Sequence, residues 1–559
     1  MNQHPPTMTV QVLARALAAN HTRAVFGIPG VHTLSIYDAL ADEPTIRLVV
    51  NRHESGSAYA AVAYAKVTRR PAVVSMVPGP GALNGASGVL CALSDRVPMV
   101  VLTVELDASD RRAEVHECDL EACFAPIVKR QFRISSPIDV DSVVADAFAV
   151  AAAAPAGPVQ VLVRGSLLKA PAAAQRATTP QLNAALDIST LDTAARDPAA
   201  LDAVSDFLRS CQRPSLLIGG PLSHCDAAAL LLAERLGAPV FTDASARGVI
   251  AEDHRLCGGM LTWPSSQAIL DRSDGLVVFA SRLSEISTLN WAVRMPARIC
   301  RVDADAAELD GNYASTVAVR ADPEPLFEAL AQRVVPRAAA WFTSPTRPVP
   351  VVTGSRPSRM HPRDAVVTTR AALPRDAIVT TDATATEFWL SEQTFEVYRP
   401  NGFVIPEVQQ TMGFALPAAT GVATACEQSG ARPPVVCISG DGSLQMNLGE
   451  LGPAAHIGYP IVLVVFDDGY YNALRIYQDG VYGRRVGVEL KNPDLCALVA
   501  SYGSNAVRVH SAATLRHALQ QALSRPSGLS VVVIDIDEAF LPDRYERRIE
   551  QLTAARSAG

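Results

Sequence analysis

The sequence has no long basic run, and its 49 Lys and Arg are outnumbered by 56 Asp and Glu, for a formal charge of −7. A nucleic-acid surface therefore has no electrostatic support, and an anionic ligand needs locally arranged donors. No uninterrupted apolar run reaches the roughly 18 to 20 residues of a membrane-spanning helix. The opening stretch MNQHPPTMTVQVLARAL lacks the charged-then-apolar order of a signal peptide. A cytoplasmic location with no membrane partner is the expectation. The ten cysteines include no CxxC pair and no Cys/His spacing typical of zinc, so they read as reduced core residues without disulfides.

What the chain does have is length and alternation. Its 559 residues suit about three domains of roughly 150 to 200 residues each, and 49% hydrophobic residues provide for sizeable cores. Short apolar strands recur at Ala24–Phe26, Leu48–Val50, Ala72–Met76, Met99–Thr103 and Val159–Val163, separated by Ala-rich helical stretches such as Gly56–Val67. That is the pattern of a parallel sheet covered on both faces. It repeats with Ser215–Gly220, Pro239–Thr242 and Gly275–Ala280, then with Ala377–Thr381 and the helix Gly413–Ala425. AAAQRATTPQLNAALDIST and RPVPVVTGSRPSRMHPRD read as linkers. The fold class is α/β, with three Rossmann-like parallel-sheet domains at 1–170, 199–335 and 365–545. The middle one lacks GxGxxG, the dinucleotide fingerprint.

The densest chemistry lies in Val435–Arg475. An apolar strand breaks at Gly440-Asp441-Gly442-Ser443, and a second, Ile461–Phe466, ends at Asp467-Asp468-Gly469. Neighbouring parallel strands open their carboxyl ends onto one crevice, so Asp441 and Asp468 are expected to meet although 27 positions separate them (468 − 441). Two carboxylates suit a magnesium ion shared with substrate phosphates, and small residues after Asp441 let backbone N–H groups approach a diphosphate. GDG alone is also an ordinary turn.

GDGS with an aspartate 27 positions on resembles the motif of thiamine diphosphate (ThDP) enzymes, in which the second residue of an Asn-Asn pair and a carbonyl two positions later complete a Mg2+ shell. The resemblance implies Asp441, Asp468 and the carbonyl of Tyr470 as metal ligands, with Gly440, Gly442 and Ser443 at the cofactor. Asp467-Asp468 replaces the usual asparagines and adds negative charge beside the diphosphate, so tighter metal dependence is expected. Phe26-Gly27-Ile28-Pro29-Gly30, Arg52-His53-Glu54 and Gly79-Pro80-Gly81-Ala82-Leu83-Asn84 are similar to the pyrimidine-binding domain of the acetolactate synthase-like and 2-oxo acid decarboxylase branch. The domains would then be pyrimidine-binding, middle and diphosphate-binding. Glu54 is implied as the activating acid at the aminopyrimidine, with Pro29, Pro80 and Asn84 around it.

QTMGFALPAA resembles the stretch that wedges an apolar side chain under the cofactor, which makes Met412 the wedge and Gln410 a pyrimidine contact. The family usually has glycine where Gln410 stands. TTDATATEFW sits where relatives read TTDVGQHQMW, implying Ala385 and Thr386 at the diphosphate.

The family implies a 2-oxo acid substrate, decarboxylated and passed as an enamine to an aldehyde or ketone acceptor in acetolactate synthase-like carboligation. The alternatives are simple decarboxylation to an aldehyde, carbon-carbon cleavage without decarboxylation, and an inactive cofactor-binding subunit. Simple decarboxylases carry acids where this chain has Val31 and Leu474, which favours carboligation. GIPGVHTLSIY and VHE also resemble decarboxylases of longer, guanidino-bearing 2-oxo acids, with His32 and His116 handling protons. The flavin-binding GMHG is absent from CGGMLTWPSSQAIL, so FAD is not expected. A homodimer or homotetramer is implied, because in the family the cofactor lies between the first domain of one subunit and the third of its partner.

Overall fold

Runs such as AVVSM, MVVLTVE and PVQVLVR are apolar on both faces, which suits strands covered by helices on each side. The computed structural model describes residues 6–107, 115–172, 198–344, 358–391, 393–542, 545, 549–550 and 552–553. The two stretches read as linkers fall mainly outside these residues.

Three six-stranded, all-parallel sheets form the framework. The first comprises β1 (Ala24–Gly27), β2 (Arg47–Val50), β3 (Ala72–Met76), β4 (Met99–Glu105), β5 (Arg130–Ile134) and β6 (Pro158–Arg164), in the order β2-β1-β3-β4-β6-β5. The second comprises β7 (Pro214–Ile218), β8 (Val240–Thr242), β9 (Cys257–Met260), β10 (Gly275–Phe279), β11 (Ile299–Asp303) and β12 (Val317–Arg320), in the order β12-β11-β10-β7-β8-β9. Counted within the sheet this is 3-2-1-4-5-6, the Rossmann order, reached without its glycine fingerprint. The third comprises β13 (Ile378–Thr381), β14 (Phe403–Val404), β15 (Val435–Gly440), β16 (Pro460–Asp467), β17 (Asn505–Val509) and β18 (Gly528–Asp535), in the order β14-β13-β15-β16-β18-β17. It repeats the order of the first.

The described residues group into two compact units. The first sheet with its helices and Thr420–Ala431 forms one, and the second and third sheets form the other. Within the first unit, Tyr64 donates its hydroxyl proton to Gln428 Oε1 at 2.7 Å. Within the second, Arg247 is fully buried and pairs with Glu252 at 2.7 Å, while its guanidinium also donates to the Leu390 carbonyl at 2.9 Å. This ties the loop after β8 to the segment before β14.

Register places the chemistry. Ser439 lies level with Val465 and Gly440 with Phe466, so Asp441 follows β15 at the height where Asp467 ends β16. Both acids reach the carboxyl edge of the third sheet because those two strands are direct neighbours.

Candidate active site

Asp441 opens the helix Asp441–Met446 directly after β15, and its side chain is buried. Its Oδ2 accepts from the Gly469 N–H at 3.0 Å and from Asn492 Nδ2 at 2.5 Å. Asp468 follows β16, and its Oδ1 accepts from the Tyr470 N–H at 3.0 Å across a turn in which Gly469 adopts φ 77°. The structure therefore brings Asp441, Asp468 and Tyr470 to one end of two adjacent strands. Burial pushes the Asp441 carboxyl up to about 6, held back by the Asn492 hydrogen bond and raised further by the Asp467 charge. Burial pushes Asp468 up to about 8, and the Asp441 charge adds to it. Two crowded hard-oxygen donors that resist ionising together are the donor set that a divalent cation such as Mg2+ satisfies.

Asp467 behaves differently from its neighbour. Its Oδ2 lies 2.9 Å from the Arg508 guanidinium on β17, and its Oδ1 accepts from Asn492 Nδ2 at 2.8 Å. Arg508 therefore offsets part of the negative charge that the Asp467-Asp468 pair brings. Asn492 bridges Asp441 and Asp467 with a single amide. Neither Asn492 nor Arg508 stood out in the sequence, since each lies in a stretch with no motif of its own.

A second cluster surrounds the turn before the helix Ala415–Ser429. Gly413 donates its N–H to Ser443 Oγ at 2.8 Å and accepts from Asn447 Nδ2 at 2.7 Å, so both residues hold the turn that carries Met412. The Ser443 hydroxyl thus serves the protein. Met412 is partly exposed. Gln410 adopts φ 49°, the left-handed conformation glycine would take without strain, and its Nε2 donates to the Glu407 carbonyl at 2.7 Å. The backbone keeps the glycine shape with a glutamine in it.

Asp382, fully buried, accepts from the Ala415 N–H at 2.8 Å and from Ser439 Oγ at 2.5 Å, joining β13, β15 and the helix from Ala415. Burial holds its carboxyl above the usual range. Thr386 Oγ1 would be 3.4 Å, and Thr384 Oγ1 3.7 Å, from a Cβ placed at Gly440. Ala385 and Thr386 are buried, and the Thr384 hydroxyl is buried with no hydrogen-bond partner among the described residues. That orphaned donor beside Gly440 suits a phosphate oxygen.

In the first unit, Glu54 begins the helix Glu54–Thr68 after β2, and its Oε2 accepts from Asn84 Nδ2 at 3.1 Å. Asn84 lies on the helix Pro80–Ser94, which Pro80 opens after Gly79 at φ 65°. A side chain at Gly79 would meet the His116 carbonyl at 2.8 Å, and one at Gly81 would meet Glu54 Oε1 at 3.0 Å. His116 and Glu54 therefore flank one tight turn. The rings of His32 and His116 stand edge to face, 5.3 Å between centroids, and His116 Nδ1 is buried without a hydrogen-bond partner among the described residues. Pro29 precedes His32 in the loop after β1. Val31 is 81% exposed, and Leu474, in the second unit, is 55% exposed.

Residues 8–123 match the thiamine pyrophosphate enzyme N-terminal TPP binding domain, 201–330 the central domain, and 382–536 the C-terminal TPP binding domain. The chain belongs to the thiamine pyrophosphate enzyme family. Glu54, Asn84 and His116 fall within the N-terminal TPP binding domain, and Asp441, Asp468 and Asn492 within the C-terminal one. Thiamine diphosphate is the cofactor that these domains bind. An acetolactate synthase large subunit of Parasynechococcus marenigrum is 31% identical over 548 residues, covering 92% of this chain and 85% of that protein. A probable 2-ketoarginine decarboxylase of Pseudomonas aeruginosa is 30% identical over 514 residues, covering 90% and 89%. The solved structure of a thiamine diphosphate-dependent 4-hydroxybenzoylformate decarboxylase from Rhodococcus jostii shares the fold, with a TM-score of 0.80 at 23% identity over 95% of this chain and 100% of that one. Among the described residues, no helix of this thiamine pyrophosphate enzyme is long and apolar enough to cross a membrane.

Proposed function

We propose that this chain is a ThDP- and Mg2+-dependent enzyme that decarboxylates a 2-oxo acid and releases the shortened product as an aldehyde. The observation that carries the choice of product is the His32–His116 pair, two imidazoles 5.3 Å apart beside the turn that positions Glu54. When bound, ThDP would supply a nucleophilic carbon for the ketone and a ring that serves as the sink for the electron pair of departing carbon dioxide.

The chain's own residues do the rest. Asp441, Asp468 and the Tyr470 carbonyl would hold Mg2+, while Gly440, Gly442, Ser443, Ala385 and Thr386 would line the diphosphate. Gln410 and Met412 would meet the pyrimidine and wedge beneath it. Pro29, Pro80 and Asn84 would enclose the ring, and Glu54 would hold a proton at it. His32 and His116 would deliver the proton that lets the fragment leave as an aldehyde. The domains are taken as 1–170, 199–335 and 365–545, and the working form as a cytoplasmic homodimer or homotetramer in which a second copy completes each site.

A second reading, acetolactate synthase-like carboligation, has its own support. Val31 and Leu474 are exposed and apolar where simple decarboxylases carry acids, and several relatives are named as acetolactate synthases. Purified protein with ThDP, Mg2+ and a panel of 2-oxo acids, including guanidino-bearing ones, separates the readings by product mass. Aldehyde alone supports the first, and a hydroxyketone or acetolactate-type product supports the second. Carbon dioxide from none of the acids overturns both. With decarboxylation established, His32→Ala and His116→Ala should each lower aldehyde release by about 10²-fold or more, and an unchanged rate removes the histidines from the site.

A further inference from the structure

The second unit holds another cluster, remote in sequence from the candidate active-site residues. His224 and Cys225 precede the helix Asp226–Leu236, and Glu324 lies in the first turn of the helix Pro323–Arg333. His224 Nε2 stands 3.2 Å from Cys225 Sγ and 3.0 Å from Glu324 Oε1. Among the described residues this is the one group of three or more His, Cys, Asp or Glu side chains whose ligand atoms converge, all within 4.8 Å of one another.

The geometry distinguishes two uses of such a trio. A catalytic Cys-His-acid relay places the thiol at one imidazole nitrogen and the acid at the other, so that a proton passes through the ring. Here thiol and carboxylate face the same Nε2. Three donor atoms gathered within 4.8 Å of one another are what a metal ion requires. Ligands bound about 2.0 to 2.3 Å from one tetrahedral ion stand roughly 3.3 to 3.6 Å apart, so the two separations at His224 Nε2 need to open by a few tenths of an ångström, while Cys225 Sγ and Glu324 Oε1, within 4.8 Å of each other, settle to the same spacing.

Ligand chemistry selects the ion. Thiolate and imidazole suit a borderline-soft divalent cation such as Zn2+ and do not suit Mg2+, which sets this cluster apart from the hard-oxygen pair at Asp441 and Asp468. Cys225 immediately precedes one helix and Glu324 lies in the first turn of another, positions where the helix dipole favours the anionic thiolate and carboxylate. Cys225 is buried, whereas the Glu324 side chain is 38% exposed, so a fourth position faces solvent.

We propose that His224, Cys225 and Glu324 form a zinc-type metal site in the central domain, joining the starts of two helices through residues 100 positions apart (324 − 224). The test uses the full chain, stripped of metal by a chelator, kept reduced, and titrated with Co2+ in excess Mg2+ so that hard-oxygen sites are filled. One Co2+ per chain with thiolate-to-cobalt charge-transfer absorption is expected. Cys225→Ser should abolish that absorption, and Glu324→Gln should weaken binding by at least about tenfold while leaving the fold intact by circular dichroism. Cys118 and Cys123 bring another two thiols to within 3.7 Å of each other, and the double variant Cys118→Ser/Cys123→Ser should keep the band. Absence of the band in the unaltered protein overturns the proposal. So does its survival in Cys225→Ser, or its loss in the Cys118/Cys123 variant.

Discussion

Arg508 lies 2.9 Å from the carboxylate of Asp467 and also pairs with Asp535 at 2.5 Å, so one guanidinium on β17 serves acids at the ends of two other strands. The Asp467 side chain is 12% exposed and would be poorly solvated alone. Removing Arg508 therefore leaves a buried charge beside Asp441, while removing Asp467 as well relieves it and leaves only the 30%-exposed Asp535 to be solvated by water. Arg508→Met is expected to cost about 1 to 2 kcal/mol, between an exposed and a buried pair. Asp467→Asn in the same chain should recover most of it. A double-mutant cycle on the unfolding midpoint measures the coupling, and additive effects would mean that the pair contributes nothing.

The proposed metal site makes a pH prediction. Asp441 and Asp468 have carboxyls raised to about 6 and about 8, so in the metal-free protein their contribution to stability is fully present below about pH 4, the unfolded carboxyl value, and is lost as pH rises through those values. Mg2+ competes with the same protons. Its affinity should rise between about pH 6 and pH 8, and added Mg2+ should raise the unfolding midpoint most at the alkaline end. Asp468→Asn should keep cofactor binding and activity while flattening this dependence. Calorimetric titration with Mg2+ and ThDP at several pH values reads both, and total loss of cofactor binding in Asp468→Asn would contradict the ligand assignment.

How much of this was legible in the sequence depended on whether the signal was local. β3, β4, β6, β15 and β16 appear as unbroken apolar runs because helices cover both of their faces. β5 and β17 carry no such signal, because they lie at sheet edges and their RQFRI and NAVRV mix charge with apolar residues. Asp441 and Asp468 were readable because the spacing of adjacent strands links them. Asn492 and Arg508 were not, since a loop amide and an edge-strand arginine acquire meaning only when the chain returns to the acids. His224 and Glu324 illustrate the same limit over a longer span.

Glu54 supplies the clearest chemical test. Its carboxyl accepts a hydrogen bond from Asn84, and it begins a helix whose N-terminus tolerates either an acid or an amide. Glu54→Gln preserves shape and removes the proton-exchanging group. Turnover should fall by about 10²-fold or more, while ThDP binding, followed by fluorescence quenching or calorimetry, persists. Unchanged turnover would remove Glu54 from the proposed activating role.

Gln410 tests whether the Met412 turn is held in its present shape. A non-glycine residue at φ 49° costs roughly 1 to 2 kcal/mol, and the 2.7 Å bond from its side chain to the Glu407 carbonyl returns about 1 kcal/mol. Gln410→Gly removes both effects and adds chain entropy to the unfolded state, so the terms nearly cancel. Gln410→Val keeps no side-chain bond and puts a β-branched residue in the left-handed region, where its methyl groups crowd the backbone. The unfolding midpoints should rank glutamine and glycine close together with valine clearly below. Because Gly413 is clamped by Ser443 and Asn447 on one side of Met412, the strain introduced by valine on the other side has to be absorbed at Met412 itself. ThDP affinity should therefore fall in Gln410→Val more than in Gln410→Gly, and equal affinity in the two would show that the turn's shape does not matter to the cofactor.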